Sequence, residues 1–353
     1  MNENTGFSKG IKIIIGIIVA LVVIAAGSVV FYMVGIGAAS STSTPEIIEV
    51  SSGDTATAVL AKMEKKGLVK SNIAAKLYVK FNKPTLKADS YRLNKNMSLE
   101  TMFNIMKNAT AKYVVTSKLT IPEGSTMPSV ATKVAKILGT TKSAVLKQWG
   151  SQTYIQTLAQ SYWFLDTKTL SNKNLLYPLE GYFYPETYYI STTKPTLDSI
   201  TRMMLDMMNK KLTPYKTSIS NMGYSTHQFL TLTSIVEREA LYDKDMPKIA
   251  GVFINRLKKN MYLQSDITVN YALQRTGVSV TTKMLKTDSH YNTYKYKGLP
   301  VGPISTVQEK TIKAVIHYTK HDYYYFFAKK DGTVIYSKTY AQHALAVKEN
   351  KWY

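Results

Sequence analysis

The apolar pattern of the chain is dominated by residues 13–36, which run without a single charge. As a helix rising ~1.5 Å per residue this stretch reaches roughly 36 Å, enough to cross a bilayer with some tilt. A cleavable secretory signal has a shorter apolar core of roughly 7–15 residues, so retention of the segment is expected. Lys9 and Lys12 precede it, with Glu3 the only other charge. Two basic residues close to the span place residues 1–12 in the cytoplasm and everything after the span outside it. The expected location is therefore the cell membrane, single-pass.

After a polar linker, SSTSTP at 40–45, the pattern changes to strand-like and helix-like runs. Residues 47–50 read as a strand, followed by a glycine turn and an amphipathic stretch over 56–66. The same grammar returns at 119–138: a short strand, the turn PEGST, and a helix over 130–138. Asp54 and the hydroxyls of these turns are expected to cap the two helices. The pair reads as a degenerate internal repeat, either two halves of one small αβ module or similar units in neighbouring domains; ordinary capping also explains each copy alone. Residues 177–189, YPLEGYFYPETYY, are aromatic and broken by Pro178, Gly181 and Pro185, giving a rigid loop or a short irregular strand. Such rings could stack on sugar faces or fill a core.

The clearest helix covers 227–241, with Phe229, Leu232, Val236 and Ala240 as its buried stripe. A second helix is expected from Pro247 to about 258, a third over 308–317, and a hairpin over 323–336 around Asp331-Gly332. On the first of these helices Glu237 and Glu239 point about 160° apart. Glu239 falls beside Leu232, Ile235 and Val236. Glu237 falls beside Thr233 and Ser234, a small polar stripe suited to lining a cleft where a half-buried carboxyl can act as an acid or base. The plainer alternatives are a solvated Glu237 paired with Arg238 or Lys244, and a structural Glu239 bonded to backbone or to Arg256. A polar cluster follows, including Asn255, Gln264, Ser265 and Asp266, then YNTY at 291–294 and a loop stiffened by Pro300 and Pro303. Rigid loops bearing amides and phenols suit sugar recognition, although they can equally be simple turns.

Composition narrows the classes further. The chain has 353 residues, 45% hydrophobic and 19% charged, enough for two domains with real cores. Cysteine is absent, which excludes disulfides and thiolate-bound metals. The five histidines are scattered with no ligand spacing, so neither a metal nor a cofactor is expected. GxSxG, Walker and GxGxxG patterns are missing as well. The net charge is +22, of which +21 follows the span. On a domain outside the cytoplasm this disfavours nucleic acid and favours anionic lipid headgroups or wall polymers.

The motifs SIVEREA (234–240), FINRL (253–257), LQSD (263–266) with Thr268-Val269, YNTY and GLPVGPI (298–304) together resemble the YceG/MltG-like endolytic murein transglycosylases. IPEG (121–124) and LEGYFYPETY (179–188) match upstream, so the agreement runs in order from about residue 47 to 343. Ile267, His290 and Val301 stand where proline is common in that family, and Val334 where a histidine is frequent. The resemblance implies an α+β chain: a transmembrane helix at 13–36, a linker at 37–45, a small LysM-like αβ domain at 46–115, and a mixed α/β catalytic domain at 116–353. It also implies lytic cleavage of the MurNAc-β-1,4-GlcNAc bond of peptidoglycan with Glu237 as acid and then base. Gln264, Asp266, Tyr291, Asn292 and Tyr294 become groove candidates, with Glu239 and Asn255 in support. The implied partners are glycan strands and the wall-synthesis machinery. A non-catalytic wall-binding protein of the same fold is one rival reading. A hydrolytic muramidase is the other, and it would need a second carboxylate roughly 5–9.5 Å from the first, with Asp266 as the candidate.

Overall fold

The apolar run forms helix α1, Lys9–Gly35, in a computed structural model that describes residues 9–191, 194–277 and 280–350. The stretch Gly10–Gly35 is long and apolar enough to cross a membrane, and none of its central window is buried in the protein. The chain then divides into two compact units, the first covering residues up to Lys118 with Tyr189–Lys194, the second the remainder.

In the first unit strand β1 (Pro45–Val50) pairs antiparallel with β2 (Asp89–Asn94), Pro45 opposite Asn94 and Val50 opposite Asp89. Helices α2 (Ala56–Lys65) and α3 (Asn72–Asn82) lie between the two strands in sequence, and α4 (Leu99–Asn108) follows. Ile48, Val59, Leu60, Met63, Tyr91, Leu93, Met102 and Phe103 make its core, because the strands alternate inward and outward while each helix buries one stripe. Thr55 caps α2 by accepting from the Ala58 amide. Asp54 instead ties the turn, accepting from the Ser51 amide and from Lys62.

Strands β3 (Ser117–Thr120) and β4 (Thr187–Ile190) pair with each other. Between them run α5 (Met127–Leu138), α6 (Lys142–Trp149), α7 (Gln152–Ala159) and the single turn α8 (Thr167–Leu170). The two strand–turn–helix repeats thus belong to different sheets rather than to one module. After β4 come α9 (Leu197–Leu212), α10 (Lys216–Asn221), α11 (Thr226–Glu239), α12 (Met246–Lys258), α13 (Asp266–Ala272) and α14 (Glu309–Ile316). The expected hairpin forms as β5 (Tyr325–Ala328) and β6 (Val334–Ser337), and α15 (Tyr340–Asn350) packs on it. Helices α11, α12 and α14 pack on one another, and α11 also meets α13.

Candidate active site

Helix α11 starts with a capping box in which Ser225 and Gln228 satisfy each other's backbone amides. Phe229 through Val236 are then all buried, so the helix is enclosed on every side rather than along a single stripe. Its polar residues tolerate this by bonding inward: Thr231 donates to the carbonyl of His227 and Thr233 to that of Phe229, both at 2.7 Å. Ser234 corrects the cleft-lining expectation. Its hydroxyl donates to the Thr231 carbonyl at 2.8 Å and accepts from the Ile304 amide at 3.0 Å, which pins the 298–304 loop to the helix.

Beyond this buried stretch α11 approaches solvent again at its last turn, and there it carries Glu237, Arg238 and Glu239, all half-buried. Two carboxylates at a helix C-terminus oppose the macrodipole, a conflict typical of functional positions. Glu237 is held by α14. The Gln308 backbone amide donates to Oε2 at 3.1 Å and the Gln308 side chain to Oε1 at 2.9 Å, while Thr311 Oγ1 also donates to Oε2. Neither Arg238 nor Lys244 pairs with it among the described residues. Oε1 receives a single donor among those residues, so one of its acceptor directions is left for a ligand.

Glu239 occupies a second group. Ser265 Oγ donates to it, and the Ser265 amide donates to Thr293 Oγ1 at 3.0 Å. Burial pushes the Glu239 carboxyl up to about 7, with Asp266 adding to the rise, while the Ser265 hydrogen bond and the Arg256 and Arg238 charges oppose it. Asp266 accepts from the Tyr294 hydroxyl and is also raised by burial. Gln264 adopts a left-handed backbone, φ +49°, with its amide on the Thr293 carbonyl at 3.2 Å and its side chain 3.4 Å from Arg256. The structure therefore brings Glu239, Gln264, Asp266 and Tyr294 together around Arg256. Asn255 instead ties α12 to the segment ahead of β5, donating to the carbonyls of His321 and Tyr323 at 2.7 and 3.0 Å. Tyr291 and Asn292 are fully buried. Asn292 donates to the Leu285 and Thr287 carbonyls and accepts from the Tyr294 amide, so it shapes the loop that carries Tyr294 and offers no groove surface.

A residue with no separate mark in the sequence completes the site. Glu180, within LEGYFYPETY, is 1% exposed. Its Oε2 accepts from the Met127 amide at 2.8 Å and from the Tyr271 hydroxyl at 3.0 Å. It thereby caps α5, the role expected of the turn hydroxyls; Thr126 makes no side-chain cap. Burial raises Glu180 to about 7, opposed first by the Met127 and Tyr271 hydrogen bonds and more weakly by the Arg238 charge. Arg238 thus neighbours both raised carboxyls electrostatically.

The upstream and downstream motifs meet here by close packing. A Cβ on Gly181, at φ +80°, would collide with the Pro303 ring. His227 donates from Nε2 to the Val301 carbonyl and accepts at Nδ1 from Tyr182, both at 2.8 Å, an arrangement of neutral imidazole consistent with its lowering by burial. Val301 in turn donates its amide to the His290 carbonyl at 3.2 Å. A proline at position 301 has no such donor, so two of the positions that depart from the family pattern are bonded to each other.

Gln308 also lines a cleft of about 490 Å³ whose walls are residues 120–123, 184–187 and 308–310. IPEG and YPET, which matched by pattern alone, therefore border the residue that clasps Glu237. Neither Gln308 nor Thr311 carried a sequence signal beyond the start of a predicted helix. One anchored carboxyl beside an open cleft can deliver a proton and take one back.

Residues 48–349 match the YceG-like family. The chain is 35% identical to the endolytic murein transglycosylase of Bacillus subtilis (strain 168), covering 84% of this chain and 82% of that protein. It is also 35% identical to the endolytic murein transglycosylase of Streptococcus pneumoniae serotype 2 over 82% of this chain, and spans 55% of that longer relative. Among solved structures, a putative YceG-like protein from Listeria monocytogenes superposes with a TM-score of 0.63 at 35% identity, covering 86% of this chain and all of that one.

Proposed function

This chain belongs to the YceG-like family, and from that premise we propose that it is a lytic transglycosylase of peptidoglycan with Glu237 as its acid and then its base. The observation that carries the proposal is the clasp on Glu237 by Gln308 and Thr311 at the end of α11. Glu237 gives its proton to the glycosidic oxygen as the bond to the muramoyl anomeric carbon breaks. The resulting carboxylate then takes the proton of the muramoyl 6-hydroxyl, whose oxygen closes onto the anomeric carbon. A 1,6-anhydro end forms, the carboxyl is restored, and no water is consumed. A second catalytic carboxylate is unnecessary, in contrast to ordinary glycosidases, and the intramolecular attack gains from proximity.

Glu239, Gln264, Asp266 and Tyr294 are the supporting groups in this reading, with peptidoglycan synthases and the elongation machinery as expected neighbours. Helix α1 serves as the single-pass anchor, with the domains outside the cytoplasm. The first unit is LysM-like, a reading supported by its strand–helix–helix–strand order. The test is product analysis. Glycan strands digested by the full chain in detergent should carry ends one water lighter than reducing ends. Reducing ends would instead make the protein a hydrolytic muramidase, and uncleaved strands that co-sediment with it would make it a wall-binding protein.

A further inference from the structure

The side of the first unit from which α1 arrives carries an unpartnered apolar and basic surface. The last turn of α1 rests on the start of α3, where a Cβ on Gly35 would lie 2.5 Å from Ala74 Cβ and 3.0 Å from Ser71 Cβ. Tyr32 and Ile36 pack on the same unit's core. At ~100° per residue, Phe81 falls within roughly 20° of Ala74 around the α3 axis, Leu77 about 60° away and Ile73 about 100° away. The α1-facing side of α3 thus continues past the contact as a free face. Ile73 is 65% and Phe81 72% exposed, and their place on one side of a single short helix next to α1 joins them into an apolar patch.

Charge flanks that face: at ~100° per residue Lys80 falls about 20° and Lys76 about 60° from Ile73 around the α3 axis. Residues 70–87 contain Lys70, Lys76, Lys80, Lys83 and Lys87 and no acidic residue. All five are exposed, and none forms an ion pair among the described residues. Lys76, Lys80 and Lys83 rim a shallow cleft of about 490 Å³ between α2 and α3. A hydrocarbon core about 30 Å thick takes ~20 helical residues, so a 26-residue span brings its far end, and α3 with it, to the headgroup layer.

We propose that α3 is an interfacial membrane contact: Ile73, Leu77 and Phe81 enter the headgroup boundary of the bilayer crossed by α1, and the five lysines bind anionic phospholipid headgroups. The proposal rests on α1 spanning the membrane. Amphipathic helices with aromatic and basic residues bind such surfaces in this way, and lysines near the surface add an electrostatic attraction to anionic lipid. The contact would hold the first unit against the membrane instead of letting it swing on its linker, and it gives part of the large positive charge a use.

Because the chain has no cysteine, single nitroxide labels can be placed cleanly at Val22→Cys, Ile73→Cys and Phe81→Cys in the full chain in nanodiscs. Collision with oxygen against a water-soluble nickel complex reports lipid contact. In discs rich in phosphatidylglycerol all three sites should favour oxygen, and the ratio at Ile73→Cys and Phe81→Cys should fall about twofold or more in phosphatidylcholine discs or when the five lysines become glutamine. Lipid contact at Val22→Cys with water exposure at the other two would overturn the contact but leave α1 as a span. Water exposure at Val22→Cys would remove both. Contact at Ile73→Cys and Phe81→Cys that ignores lipid charge and the lysines would overturn the headgroup assignment.

Discussion

Gln308 reaches both oxygens of Glu237, with its backbone amide on Oε2 at 3.1 Å and its side-chain amide on Oε1 at 2.9 Å. A carboxyl that must protonate one oxygen and then deprotonate another needs a fixed orientation through both steps, and α14 supplies it from a neighbouring helix. Gln308→Ala keeps the backbone donor and loses the other, while Thr311→Val is near-isosteric and loses the hydroxyl donor. Each should lower kcat on the order of tenfold or more with little change in KM. Steady-state cleavage of glycan strands checks this, and unchanged kcat in both variants would mean that the clasp is structural only.

Two carboxyls desolvated by the fold give stability a definite pH dependence. Glu180 and Glu239 are each pushed up to about 7 from an ordinary 4.5. Between those values the folded chain retains protons that the unfolded chain has released. Stability contributed by these groups is therefore full below about 4.5, declines as pH rises to about 7, and is level above. Glu180→Gln keeps acceptors for Met127 and Tyr271 while removing the titration. As pH rises from about 5 to about 7 it should gain on the wild type, by about 1.4 kcal/mol per pH unit. Thermal melts of both proteins across that range test it; curves displaced by a constant amount at all pH values would contradict it.

Ser234 shows how the site depends on a fully buried hydroxyl. Ser234→Ala strands the Ile304 amide, which this hydroxyl satisfies. An unmet buried donor costs about 1–3 kcal/mol, so the denaturation midpoint should fall accordingly and the 298–304 loop should exchange its amides faster. Hydrogen exchange at Ile304 no faster than in the wild type would show that water or another group replaces the hydroxyl.

Much of this arrangement was legible in the sequence. The long apolar helix α1, the helix bearing Glu237, the 308–317 helix and the aromatic hairpin follow from apolar period and turn residues, which are local properties. Motif order carried the family. The roles of individual polar residues were harder to read because they depend on contacts distant in sequence. Ser234 was expected to line a cleft, but the 298–304 loop seventy residues away covers it. Tyr291 and Asn292 were expected in a groove, but their side chains turn into the core. Glu180 looked like one acid in an aromatic segment until its helix-capping bond to Met127 was visible. Gln308 and Thr311 sit at the start of an ordinary amphipathic helix, and only the packing of α14 on α11 gives them a partner.

The central claim, that one carboxyl carries both proton transfers, is tested most directly by Glu237→Gln in the full chain. Glutamine keeps the shape, its oxygen can accept from the Gln308 backbone amide and Thr311, and its NH2 can meet a Gln308 side-chain amide turned by about 180°, but it neither donates a catalytic proton nor accepts one. Release of 1,6-anhydro ends, measured by mass spectrometry alongside a thermal melt, should fall by about 10²–10⁴-fold with the melting temperature nearly unchanged. Anhydro ends released at close to the wild-type rate by the folded variant would contradict the assignment and move the search to Glu239 and Asp266.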